Sequence, residues 1–242
     1  MSGERVIHGL RNLPASVEID FLFAPHSTAE DLFELPDRFA DCDIYIPETG
    51  PVINGLGTIY RQISEGDQTA LENETRRLQR FANWEGPVYT IGQIFDSRKS
   101  IGIIDVPSTS PLWRSIGLGM MAIAKAGISD EQLVQSYIEL GSMQRRREDY
   151  MLQALAPTIR RAIQEEPMLL QKTSIKTLLT LGPLHTRMYQ EALRALGSQR
   201  VNRTMPGSMP PDISIIRRGV FNLGTTVEDA YAEIARHEKH GS

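Results

Sequence analysis

Short apolar runs of strand type recur along this chain between longer stretches of helical periodicity, and that alternation restricts the fold more than any other feature. Ile19 to Phe23 (IDFLF), Asp43 to Ile46 (DIYI) and Ser174 to Leu181 (SIKTLLTL) are rich in β-branched and aromatic residues. The pattern predicts an α/β fold, a mixed sheet with helices on both faces. The antiparallel part comes from Val88 to Phe95 and Ile101 to Val106, which read as a hairpin around Asp96-Ser97-Arg98-Lys99. Ser27 or Thr28, with Glu30, caps a helix after the first strand, running to about Phe39 with a break at Pro36. Asp67 to Asn83 reads as a polar helix, and Ser129 caps a long one that reaches Pro157. The last strand leads through Gly182-Pro183-Leu184-His185-Thr186 into a helix ending near Gly197. Residues 202–219 read as a surface loop and 226–240 as an amphipathic C-terminal helix. No stretch separates two cores, so residues 1–242 are expected to form a single domain.

Charge and cysteine usage narrow the function classes. Lys and Arg total 26 against 30 Asp and Glu, a formal net charge of -4. A protein that binds nucleic acid through broad electrostatic attraction carries a basic face. Here the one basic cluster, Arg145-Arg146-Arg147, is followed at once by Glu148-Asp149, so no nucleic-acid partner is expected. Cys42 is the single cysteine, which excludes an intrachain disulfide and a cysteine-rich zinc site. The N-terminus lacks the unbroken apolar stretch of a signal peptide. The most apolar segment, Ile116 to Ile128, is short for a membrane span and is broken by glycines and Lys125. The expectation is a cytoplasmic protein with no membrane partner.

Two segments echo each other. An apolar strand is followed by Phe23-Ala24-Pro25-His26-Ser27, and another by Gly182-Pro183-Leu184-His185-Thr186. Each places a histidine just past the carboxyl end of a strand, where open α/β sheets bind ligands. Glu48 leaves the DIYI strand at the matching end, and Asp105 leaves the IGIID segment likewise. Two histidines and a carboxylate suit a divalent metal with an open coordination position, or a base-and-orienter pair that activates water.

The Gly182-Pro183-Leu184-His185 turn is a GxxH motif after a strand, and Arg147-Glu148-Asp149-Tyr150-Met151 precedes it on a helix. In these points, and in the IDFLFAPHS and DIYIPETG segments, residues 17–197 resemble the TraB/PrgY, TIKI, erythromycin-esterase and ChaN superfamily. The resemblance implies a fold with a duplicated strand-GxxH-helix element. It also implies a hydrolase that cleaves a peptide, ester or lactone bond with a metal- or histidine-activated water. The alternative on the same scaffold is a non-enzymatic protein that binds a small molecule or haem. It places the site at His26, Glu48, Arg147 and His185, with His26, Glu48 and His185 as the ligands of a divalent metal and Arg147 as orienter or oxyanion stabiliser. The chain departs from the pattern at Phe23, where the motif has glycine, and at Glu148, where it has Asp or Asn.

Other residues are read as structural. Three consecutive arginines spread over about 200° of a helix at ~100° per residue, so they cannot share one face and at most one of Arg145 to Arg147 is expected to point inward. His237 and His240 lie one helical turn apart among Arg236, Glu238 and Lys239, a solvated face near the terminus. Gly-Leu-Gly at 55–57 and 117–119 begins no phosphate loop.

Overall fold

The computed structural model describes residues 8–24, 32, 35–50, 52–81, 84–123, 129–182 and 185–204. After a helical turn at 8–11 the described elements are β1 (Val17–Phe23), α1 (Leu35–Asp41), β2 (Ile44–Pro47), α2 (Leu56–Glu65), α3 (Gln68–Leu78), α4 (Glu85–Ser97), β3 (Ser100–Ile101), α5 (Pro111–Ile123), α6 (Asp130–Glu165), α7 (Pro167–Leu170), β4 (Ile175–Leu181), α8 (Thr186–Leu196) and β5 (Val201–Thr204). The fold is α/β. The strands form one sheet in the order β3-β2-β4-β1-β5, and every described pairing is parallel.

The expected antiparallel hairpin is therefore corrected. Val88 to Phe95 lies inside α4, where Thr90, Ile91 and Ile94 are buried at helical spacing. Its β-branched residues suit a strand locally, but the periodicity of their burial is that of a helix packed on the sheet. Ile101 belongs to β3, parallel to β2 through Tyr45. Pro157 does not end the long helix. The chain stays helical to Glu165, with Pro157 and Gln153 exposed, so water can serve the carbonyl that the missing N–H abandons. Pro36 sits in the first turn of α1, where its lost donor has no intrahelical partner anyway. Asn202 to Thr204, read as loop, form β5 against β1, while 205–219 and 226–240 lie outside the described residues. The cap expected at Ser129 holds, with Ser129 and Gln132 closing a reciprocal box, whereas the cap expected at Ser27 or Thr28 with Glu30 lies outside the described residues. Asp67 caps α3, accepting from the Ala70 N–H at 3.0 Å.

Both faces of the sheet are covered. On one, Ile19, Phe21, Phe23, Ile44, Ile46, Leu179 and Leu181 meet Met151, Leu155 and Ile159 of α6 and Met188 and Ala192 of α8. On the other, Leu22, Tyr45 and Leu178 meet Phe39 of α1, Tyr60 and Ile63 of α2 and Ile91 and Ile94 of α4. Phe23 stacks on Phe21 with ring centres 6.0 Å apart, and Tyr189 of α8 meets Phe21 edge-on at 5.7 Å. Phe23 is thus a core residue of the α6–α8 layer. No described helix is long and apolar enough to cross a membrane.

The connections define where a ligand can sit. From β2 the chain moves outward to β3 through α2, α3 and α4; from β4 it moves the other way, past β1, to β5 through α8. β2 and β4 are neighbours, so the chain leaves them in opposite directions onto opposite faces. That is the topological switch point at which open α/β sheets form a crevice. Glu48 follows β2 and Gly182 to His185 follow β4.

Candidate functional site

The carboxyl edges of β2 and β4 are tied together directly. Glu48 N–H donates to the Thr180 carbonyl at 2.9 Å, and Gly182 N–H donates to Glu48 Oε2 at 2.5 Å. A side chain at 182 would crowd this contact: a Cβ there would lie 3.3 Å from Glu48 Oε2 and 3.7 Å from His185 Cδ2. Glycine at this position serves close approach, since its φ is not among the positive ones. His185 is the N-cap of α8, and its N–H reaches back to the Gly182 carbonyl at 3.1 Å.

Long helix α6 supplies the other half. Arg147 reaches inward and is 4 % exposed, while Arg145 and Arg146 face outward. Its guanidinium grips Asp105 with two bonds, Nε to Oδ1 at 2.9 Å and Nη2 to Oδ2. The same Nη2 lies 2.8 Å from Glu48 Oε1, and Nη1 lies 3.5 Å from Gln144 Oε1 and 3.4 Å from His185 Nε2. The Trp113 ring of α5 covers the guanidinium at 5.2 Å, a cation–π contact. His185 is held at both nitrogens: Nδ1 faces Glu148 Oε1 at 3.1 Å and Nε2 faces Glu48 Oε1 at 3.3 Å. The side chains of Glu148 and Asp105 are fully buried, and Glu48 keeps 15 % exposure.

These distances set the proton positions. Burial alone would push the His185 imidazole down, but the Glu48 charge and the hydrogen bonds to Glu148 and Glu48 outweigh it, against opposition from Arg147. The net result lifts His185 to about 9, so it is an imidazolium at neutral pH. Burial works against the Arg147 charge too, and Glu48 and Asp105 hold it charged beyond the ordinary arginine range. The cluster therefore sets two cations, Arg147 and His185, among the carboxyl groups of Glu48, Asp105 and Glu148. Uncompensated charges at such depth would cost several kcal/mol each.

Of the site residues expected from the sequence, Glu48, Arg147 and His185 converge, and His26 lies outside the described residues. Strand register bears on the first motif. Phe23 pairs with Leu181, so Ala24, not Phe23, stands level with Gly182. Counted from there, the place of His185 falls on Ser27, and His26 comes one residue early. Three further residues belong to the cluster. Asp105 carried a sequence signal as a carboxylate past a strand; Glu148 was visible only as a departure from a motif; Trp113 had no signal. For a divalent cation, His185 has a suitable arrangement, with Nδ1 fixed by a carboxylate and Nε2 turned to Glu48. Yet the point where Glu48, Asp105 and His185 converge is taken by Arg147, itself a cation, and no metal-holding group of His, Cys, Asp or Glu exists among the described residues. The described donors do not by themselves fit a metal.

No protein-family model, curated protein or solved structure matches the chain.

Proposed function

We propose that this chain is a hydrolase of the TraB/TIKI/erythromycin-esterase type, acting in the cytoplasm on a peptide, ester or lactone bond of a small molecule or peptide. The observation that carries the reading is Glu48. It is the least buried carboxylate of the cluster, it borders a cavity lined by Tyr60, Thr90 and Thr180, and it is flanked by two buried cations. Glu48 acts as general base on a water in that cavity. The water oxygen bonds to the acyl carbon and its proton passes to Glu48, while Arg147 and the His185 imidazolium stabilise the negative charge that develops on the acyl oxygen. As the bond to the leaving group breaks, the departing oxygen or nitrogen takes a proton from His185 or from Glu48. Glu148 keeps the imidazole oriented throughout.

Removing the base tests the reading. Glu48→Gln should still fold, with lowered stability because Arg147 and His185 lose a counter-charge, and should lower kcat by about 10²–10⁴-fold on whichever ester, lactone or peptide of a panel the wild type turns over. Metal enters only through His26 completing the donor set. Elemental analysis showing a stoichiometric divalent ion, and loss of turnover on chelation, would assign the water's activation to it. The second reading is a binding protein for a small molecule or haem on the same scaffold, favoured by how fully Arg147, Asp105, Glu148 and His185 satisfy one another. A wild-type protein that turns over nothing in the panel, with and without added divalent ions, yet is stabilised by one of its members would establish that reading instead.

A further inference from the structure

The charge cluster around Glu48 is one cation short. Glu48, Asp105 and Glu148 set three carboxylates against Arg147 and His185. A buried charge without compensation is costly, and the deficit falls on Glu148. Asp105 has the two-bonded grip of Arg147, and Glu48 has both cations, whereas Glu148 has His185 alone. Its side chain is fully buried; Oε1 meets His185 Nδ1 at 3.1 Å, and Oε2 has no hydrogen-bond partner among the described residues. Arg187, the second residue of α8, supplies the third cation. Its Nη1 lies 4.0 Å from Glu148 Oε2 and is likewise buried without a hydrogen bond, while Nη2 donates to Asp149 Oδ1 at 2.7 Å. The 4.0 Å separation is that of an ion pair without a direct hydrogen bond. Asp149 keeps 31 % side-chain exposure, so water can serve its charge; Glu148 has no such recourse.

We propose that Arg187 is a positioning residue of this site: by holding Glu148 Oε2 it keeps Oε1 aimed at His185 Nδ1. The role matters most at one step. When His185 gives its Nε2 proton to the departing oxygen or nitrogen, Glu148 loses the cation it faced. Arg187 cannot be deprotonated, so it is then the one counter-charge Glu148 retains. The cycle closes when the proton that Glu48 took from water passes across 3.3 Å to His185 Nε2. Without Arg187, a neutral His185 would leave Glu148 buried and unpaired, so the effect belongs to kcat and not to KM. For this effect on turnover the proposal rests on the hydrolase reading; for the orientation of His185 it does not.

The Nδ1–H proton of His185, observed by NMR at pH 7, reads that orientation directly. Arg187→Gln should displace its resonance or lose it to exchange with water, and Arg187→Lys, which keeps the charge, should restore it. Asp149→Asn should leave it in place, because Arg187 stays beside Glu148. An unmoved Nδ1–H in Arg187→Gln overturns the proposal. So does a displaced Nδ1–H in Asp149→Asn, which would make Arg187 a brace between α6 and α8 and nothing more; that variant decides the matter if Arg187→Gln does not fold. Turnover separates the proposal from the reaction. On a panel member that the wild type hydrolyses, Arg187→Gln should lower kcat about 10–100-fold at unchanged KM, the loss seen when a group orienting a metal-bound histidine is removed. Arg187→Lys should recover most of it. A displaced Nδ1–H with unchanged kcat upholds the positioning and refutes His185 as the acid of the reaction. A wild type that hydrolyses nothing refutes the hydrolase, and the Nδ1–H comparison then decides the positioning by itself.

Discussion

β1 and β4 lie side by side, run parallel over seven paired positions, and leave the sheet level with one another, but they end in different materials. β1 closes on Phe21, Leu22, Phe23 and Ala24, all buried in apolar layers on the two faces. β4 closes on Leu181 and then passes through Gly182 to His185, into a buried knot of charge built with Glu48, Asp105, Arg147 and Glu148. Apolar packing can be weakened by degrees, because each methylene lost costs its own share. A buried ion cluster behaves otherwise: each member compensates another, so removing one strands its partners. The two strand ends should therefore respond differently to mutation, pH and small changes of volume.

The largest effects come from truncation at either end. Phe23→Ala should lower stability by about 3–5 kcal/mol through lost burial and the cavity left behind. Arg147→Ala should cost a similar ~3–5 kcal/mol by stranding Asp105 and Glu48. Denaturant titrations at two pH values tell them apart: the Phe23 loss should be the same at pH 6 and pH 9, and the Arg147 loss should vary with pH. Equal pH response in both variants would break the comparison.

Next in size is the pH dependence of the wild type. The His185 pKa is raised from 6.5 in the unfolded chain to about 9 in the fold, so the folded state binds the proton more tightly. Its contribution, up to about 3 kcal/mol, is complete below pH ~6.5 and is lost as pH rises through about 9. Wild-type stability should thus fall over that window more than that of His185→Asn, and the difference between the two melting curves measures it.

Smaller still are the residues level with each other. Gly182→Ala must displace Glu48 by a few tenths of an ångström and should cost about 1–3 kcal/mol. The reverse exchange at the apolar end, Ala24→Gly, should cost about 0.5–1 kcal/mol through chain entropy. If Gly182→Ala is silent in a thermal melt, the close approach of β2 and β4 is not a constraint. At the bottom of the scale, Arg145→Lys on the outer face of α6 should stay within about ±0.5 kcal/mol.

Much of the fold was legible in the residues, for reasons that differ from place to place. β1, β2 and β4 announced themselves through apolar runs bounded by turn residues, and Ser129 as a capping residue before a long helical pattern. Glu48 and His185 were legible because a parallel sheet gathers the residues just past its strands at one edge. Choosing Arg147 from three consecutive arginines needed the motif, since helical geometry only said that one of them could point inward. Val88 to Phe95 misled because β-branched content speaks of local preference, while the packing of Thr90, Ile91 and Ile94 on the sheet decided for a helix. α2 and α5 went unread: Leu56 to Glu65 follows Gly55, whose positive φ no side-chain cap advertises, and α5 keeps only Ile116 buried. The order β3-β2-β4-β1-β5 was beyond the sequence, and with it the meeting of Asp105 and Glu48 on one guanidinium.

The charge state of His185 is the most direct test of the cluster. Heteronuclear NMR of the imidazole side chains, with the His185 signals identified by their absence in His185→Asn, follows its protonation against pH. Held between Glu148 and Glu48, His185 should stay doubly protonated through pH 8 and titrate near 9. A midpoint at or below the free-histidine value of about 6.5 would mean that the carboxylates do not hold it, and would contradict the account.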